Sequence, residues 1–118
     1  MKIAIKPLDA RFSRFIRTRD KWTCQRCHKK YTPPTNALHC AHMFSRRHYG
    51  VRFDESNACA LCYGCHSYID SHPEEKIEFF KSKLGEELYE YLRMKSKTYC
   101  RTKDEMFSAD LWLKKEGF

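Results

Sequence analysis

The chain has 118 residues, a formal net charge of +8 and seven cysteines. That length suits one small domain with a thin core, a size at which a metal or a disulfide often supplies part of the stability. No stretch approaches the roughly 20 apolar residues of a membrane helix, and MKIAIKPLDARF lacks the apolar run of a secretion signal, so a cytoplasmic setting is expected, in which paired cysteines hold metal.

The charge is uneven. Residues 1–53 carry 13 Lys+Arg against 2 Asp+Glu, whereas residues 54–118 carry 10 against 13. Such a basic half is either a solvated surface or an electrostatic footprint for a polyanion, most often nucleic acid.

Residues 1–7 read as a short arm. Leu8, Phe12, Phe15 and Ile16 then recur at helical spacing, with Pro7 suited to the helix start. Arg14, Arg17 and Lys21 fall opposite this apolar stripe, as a wet basic side or a contact for DNA backbone. Arg19 projects near the stripe and must snorkel out or find a partner.

Trp22 to Tyr31 holds the pair Cys24 and Cys27, and Cys62 and Cys65 repeat that spacing downstream. Two Cys-x-x-Cys pairs across a long gap supply four soft ligands for a tetrahedral structural zinc. A redox role for the pairs lacks a thioredoxin-like βαβ context. His28, directly after Cys27, reads as a surface residue, as do His48 and His72.

Tyr31 to Asn36 is a proline-marked turn. Ala37 to Phe44 reads as a strand, Ser45 to Asp54 as a basic loop with Arg46, Arg47 and Arg52, Ala58 to Leu61 as a second strand, and Tyr63 to Asp70 as a short helix. Cys40 and Cys59 are expected to face each other on the hairpin as small buried residues, and Cys100 to be incidental. Pro73, Glu74 and Glu75 open a further helix with Ile77, Phe80 and Leu84 on one face and Gly85 at its end. A second helix carries Leu88, Tyr91 and Leu92. Thr102 and Glu105 form a capping box for a last helix with Met106, Phe107 and Leu111. These helices read as core or as a dimerisation surface.

The fold class is therefore α+β in a single domain, residues 1–118. A strand–strand–helix core spans about 22–72 and a helical extension about 73–118. The stretch Leu38 to Asp70 concentrates the chemistry. A histidine near its ordinary pKa suits a general base, a divalent ion can neutralise phosphate charge, and arginines can grip phosphates at two points.

The order His42, Asn57, His66, with Cys62 and Cys65 just before the last histidine, resembles the zinc-containing HNH (ββα-metal) endonucleases. The segments RFSRFIRTRDKWTCQRC, AHMFSRRH and VRFDESNACALCYGCH resemble phage NinG/Rap-type recombination nucleases, over roughly residues 9–93. The resemblance implies a ββα-metal core that hydrolyses phosphodiester bonds in DNA, duplex or branched, in a bacterial or phage-infected host cell. It implies His42 as the general base, Asn57 as the residue that holds the loop and orients it, and His66 as ligand to a catalytic divalent ion (Mg, Mn, Ni or Zn). Cys24, Cys27, Cys62 and Cys65 would hold the separate structural zinc. Arg46, Arg47, Arg52, Arg14, Arg17 and Lys21 would contact DNA, more through backbone than through bases. A homodimer would provide two sites for cutting both strands.

Many members of that family carry an acidic residue or histidine just before the general base, as a metal ligand. Here Ala41 stands there. Either His39, on the same side of the strand, supplies the ligand, or His66 holds the ion with waters and phosphate oxygens. A full strand repeat of roughly 7 Å between His39 and Ala41 favours the second. The competing function is a zinc-ribbon-like module that binds DNA or protein and cuts nothing.

Overall fold

The computed structural model of the chain describes residues 5–99 and 102–118. Residues 1–4 of the expected arm, and Cys100, lie outside them.

Helix α1 spans Ile5–Arg19 because Leu8, Phe12 and Ile16 recur every four residues and bury one stripe. It starts earlier than expected. Ile5 and Lys6, assigned to an arm, lie in its first turn, where Pro7 leaves no amide donor wanting. Arg19 finds partners rather than snorkelling. Its guanidinium donates to the carbonyls of Glu55 at 2.5 Å and Ala58 at 2.8 Å, and to both oxygens of Asp20. Asp20 in turn accepts from the Ala60 amide at 2.8 Å, which ties the end of α1 to the sheet.

The sheet has two antiparallel strands, β1 (Leu38–His42) and β2 (Ala58–Cys62). Leu38 lies opposite Cys62 and His42 opposite Ala58. A 3-10 turn, Glu55–Asn57, leads into β2. Helix α2, Tyr63–Asp70, continues from β2 with no loop between them, and the Cys62 sulfur caps it by accepting from the Cys65 amide. Then come α3 (Pro73–Leu84), α4 (Glu86–Thr98) and α5 (Lys103–Lys115). Pro73 opens α3, and Gly85 ends it at φ 85°, a left-handed backbone that glycine adopts without strain. Thr102 and Glu105 cap α5 reciprocally.

The hairpin is a middle layer. One side carries α1 and α5, with Phe12, Ile16, Phe53, Ala58 and Leu113 packed together. The other carries Ala41, Cys59 and Leu61 against Ile69 of α2, Phe80 of α3 and Tyr89 of α4. This register corrects one expectation. Cys40 pairs with Ala60 and Cys59 with Ala41, so the two cysteines lie on opposite faces, because a one-residue offset in a strand reverses the side. Burial pushes both thiols up to about 12, as suits small core residues rather than ligands.

The buried faces of α3 and α4 also differ from expectation. Ile77, Leu88 and Tyr91 are exposed, and the inward positions are Phe80, Tyr89, Leu92 and Ser96. In α5, Leu113 is buried and Leu111 exposed. The C-terminal end of α4 packs on the loop after β1: a Cβ on Gly50 would overlap the carbonyl oxygen of Tyr99. Lys95 of α4 pairs with Asp54 of that loop at 3.1 Å.

Candidate active site

The first Cys pair sits on a small hairpin closed by a bridge between Thr23 and Lys30. The amide of Cys27 points at the Cys24 sulfur, as the amide of Cys65 points at that of Cys62. Burial raises the Cys24 thiol pKa, but the Cys27 amide and neighbouring backbone donors outweigh it and bring it down to about 7. The four sulfurs lie within 4.8 Å of one another, with Cys27 and Cys62 at 3.8 Å. Four sulfurs each about 2.3 Å from one tetrahedral zinc stand roughly 3.8 Å apart. The donor set and its spacing therefore fit a structural zinc.

The second Cys pair sets where α2 begins. Leu38 is opposite Cys62, so the helix starts beside the N-terminal end of β1. His66, one residue past Cys65, thereby meets His39 rather than the far end of the strand. The two Nδ1 atoms are 3.0 Å apart. Nitrogens each about 2.1 Å from a shared ion would stand roughly 3.0–3.4 Å apart at octahedral to tetrahedral angles. His66 Nε2 faces Asp70 Oδ2 at 3.2 Å, and Asp70 also takes Lys76 at 2.9 Å. A carboxylate only accepts, so Nε2 of His66 carries the proton and Nδ1 turns a lone pair toward His39. Burial lowers the His66 pKa and favours this neutral ring. Ala41 is buried in the core and takes no part.

His42 ends β1. Its Nε2 lies 3.0 Å from the carbonyl of Arg52, so Nε2 donates and Nδ1 keeps its lone pair. Burial against Phe12 lowers its pKa to about 4; the Arg52 carbonyl works against that shift. The ring is therefore neutral at pH 7. His39, His42 and His66 share one open cleft of about 640 Å³.

Asn57 does not line that cleft. It is fully buried, and its side chain accepts from the Phe44 amide at 2.9 Å while donating to the carbonyls of Phe44 at 2.9 Å and Val51 at 3.1 Å. It clamps both ends of the loop that comes after His42.

No family model, curated protein or solved structure matches the chain.

The basic residues divide. Arg46 and Arg47 are exposed, and Arg47 makes no hydrogen bond or ion pair among the described residues. Arg46 reaches the cleft and lies 3.6 Å from Asp9. Arg52, expected beside them as a phosphate contact, is used inside the chain instead. It grips Asp9 at 2.5 and 3.1 Å and the Arg46 carbonyl at 3.1 Å. Arg17 lines the cleft and is partly covered by Trp22 and by the Thr35 and Leu38 carbonyls. Arg14 holds the Phe118 carbonyl, and Lys21 is exposed. His28, His48 and His72 are exposed.

Two cleft carboxylates carry little signature in the sequence. Asp70 stands four residues after His66, a spacing that joins side chains on a helix. Asp9, Ser13 and Arg17, also four apart, form the cleft-facing side of α1. Asp9 is one of only two acidic residues among the first 53, and that rarity is its one signal.

Proposed function

We propose that the chain is a metal-dependent DNA endonuclease of HNH type, with His42 as the general base and His39 and His66 as protein ligands of a divalent ion. The observation that carries this reading is the meeting of the His39 and His66 nitrogens at 3.0 Å in the cleft that also holds neutral His42. It favours His39 as the second ligand over an ion held by His66 alone. A bound divalent ion (Mg, Mn, Ni or Zn) would neutralise charge on the scissile phosphate and the leaving oxygen.

The chain's own groups supply the rest. His42 Nδ1 takes the proton of an attacking water while the Arg52 carbonyl holds the ring. An anionic phosphate in the cleft raises the His42 pKa from about 4 toward its ordinary value, which strengthens the base when substrate is present. Arg46 and Lys76 in the cleft and exposed Arg47 on the adjoining loop bind flanking phosphates, and Arg17 adds a fixed positive charge at the cleft wall. Asp70 keeps His66 in the tautomer that offers Nδ1. Asn57 holds the loop after His42, and a zinc in the four-cysteine cluster would tie the start of α2 to the Cys24–Cys27 hairpin.

The test is relaxation of supercoiled plasmid with added Mg, Mn or Ni, alongside linear duplex and four-way-junction substrates. Wild type nicks DNA, and His42→Ala and His66→Ala do not, although both retain zinc and fold. Equal inertness of wild type and His42→Ala across all metals and substrates would replace this reading with a binding module that cuts nothing.

A further inference from the structure

We infer that Asp9, on α1 and outside the strand–strand–helix core, is a positioning residue for His42 and acts through Arg52. Two contacts in series carry it. Asp9 takes the guanidinium of Arg52 at two points, Oδ2 to Nη2 at 2.5 Å and Oδ1 to Nε at 3.1 Å. The carbonyl of the same Arg52 then accepts the proton of His42 Nε2 at 3.0 Å. Arg52 lies ten residues beyond His42, across the exposed basic loop. Nothing in β1 itself fixes a loop carbonyl at that distance. Asn57 holds the carbonyl of the neighbouring Val51, and Asp9 of α1 adds the hold on Arg52 itself.

The pair is built to hold a direction rather than merely a charge. Only 18% of the Asp9 side chain and 11% of the Arg52 side chain are exposed, so water competes little for either. A guanidinium bound at both Nε and Nη2 by one carboxylate is fixed in plane as well as in place. The third arm, Nη1, takes the Arg46 carbonyl at 3.1 Å and closes the loop on itself. With the Arg52 backbone so held, its carbonyl selects the Nε2–H form of His42 and leaves Nδ1 as the basic nitrogen. Without Asp9 the carbonyl keeps only the holds of Asn57 on the neighbouring Val51 and of Nη1 on Arg46, and it selects the Nε2–H form less strongly. The catalytic meaning of this inference rests on the nuclease reading, but the selection of tautomer does not.

The test uses the full-length, zinc-loaded protein. Two-dimensional correlation of imidazole protons and nitrogens reports the His42 tautomer directly. Wild type gives the Nε2–H pattern. Asp9→Ala moves both His42 nitrogens toward the averaged values of a free ring, Asp9→Glu restores part of the difference, and Arg47→Ala on the same loop leaves the pattern unchanged. Should Asp9→Ala fold poorly, Arg52→Lys keeps the charge, loses the two-point grip and gives the same shift. In the nicking assay Asp9→Ala lowers kcat by roughly 10- to 100-fold with KM little changed, the loss expected when a reacting group is misplaced. A folded Asp9→Ala or Arg52→Lys protein with the wild-type His42 pattern and wild-type kcat overturns the inference while the nuclease reading stands. An inert wild type whose His42 pattern still depends on Asp9 removes the nuclease reading and keeps the positioning claim.

Discussion

Replacing Asn57 with alanine removes the clamp of the loop after His42, and the structure sets the size of the loss. The side chain is fully buried and makes three hydrogen bonds, one accepted from and one donated to Phe44, and one donated to Val51. Each such bond contributes about 1 kcal/mol net, and a buried partner left unpaired costs about 1–3 kcal/mol. Water can reach the partly exposed Phe44 backbone, and the buried Val51 carbonyl still accepts the Asp54 amide at 3.1 Å, so no partner is left unpaired. Three bonds at about 1 kcal/mol each give a destabilisation of about 3 kcal/mol. That is a large share of the roughly 5–15 kcal/mol typical of a folded domain. The assay is urea unfolding at about pH 7.5 with excess zinc, monitored by tryptophan fluorescence. The midpoint falls and the slope does not change, because the same surface is exposed on unfolding. Asn57→Asp keeps the acceptor for Phe44 but turns an oxygen toward two carbonyls, so it costs at least as much near neutral pH and less as the carboxyl is protonated. An Asn57→Ala protein that loses under about 1 kcal/mol would show that the loop is held by something else.

Three further outcomes are expected. Purified protein carries one tightly bound zinc per chain, and chelation or Cys62→Ser abolishes the cooperative unfolding transition, checked by metal analysis and circular dichroism; a folded, metal-free chain contradicts the fit of the four sulfurs. The His42 pKa is lowered in the fold, so its neutral form is favoured and stability falls with pH between the unfolded value of 6.5 and the folded value of about 4. Wild type thus loses about 2 kcal/mol more than His42→Gln between about pH 7.5 and about pH 5, measured by urea unfolding; equal losses refute the burial of that ring. Gly50→Ala forces the end of α4 off the loop through the Tyr99 carbonyl and costs about 2–3 kcal/mol, whereas Gly64→Ala, with open space around it, costs under about 1 kcal/mol.

The features legible in the residues depend on local rules. The stripe of α1, Pro73 and Gly85 around α3, and the Thr102–Glu105 box of α5 each depend on neighbours within a few positions, so periodicity and caps place them. The paired cysteines are legible for the same reason. Tertiary pairing is not. Distance along β1 makes His39 look remote from His66, yet α2 starts opposite Leu38 and brings the two Nδ1 atoms to 3.0 Å. Arg52 looks like one more loop cation, because its partner Asp9 lies 43 residues away in sequence. Periodicity misplaces Ile77, Leu88 and Tyr91 on α3 and α4, since two amphipathic turns offer several plausible stripes and only the neighbouring layer chooses among them.

Cys62 is at once the last residue of β2, a member of the four-sulfur cluster and the cap of α2. The interval from Cys62 to His66 therefore has no slack. One residue inserted between Cys65 and His66 would rotate the histidine by roughly 100° about the helix axis and carry it away from His39. The loop between Phe44 and Asn57 is under no such constraint at its exposed tip, where length can vary so long as Arg52 and Asn57 keep their anchors. Chains built on this plan should therefore diverge in length on one side of β2 and hold a constant count on the other.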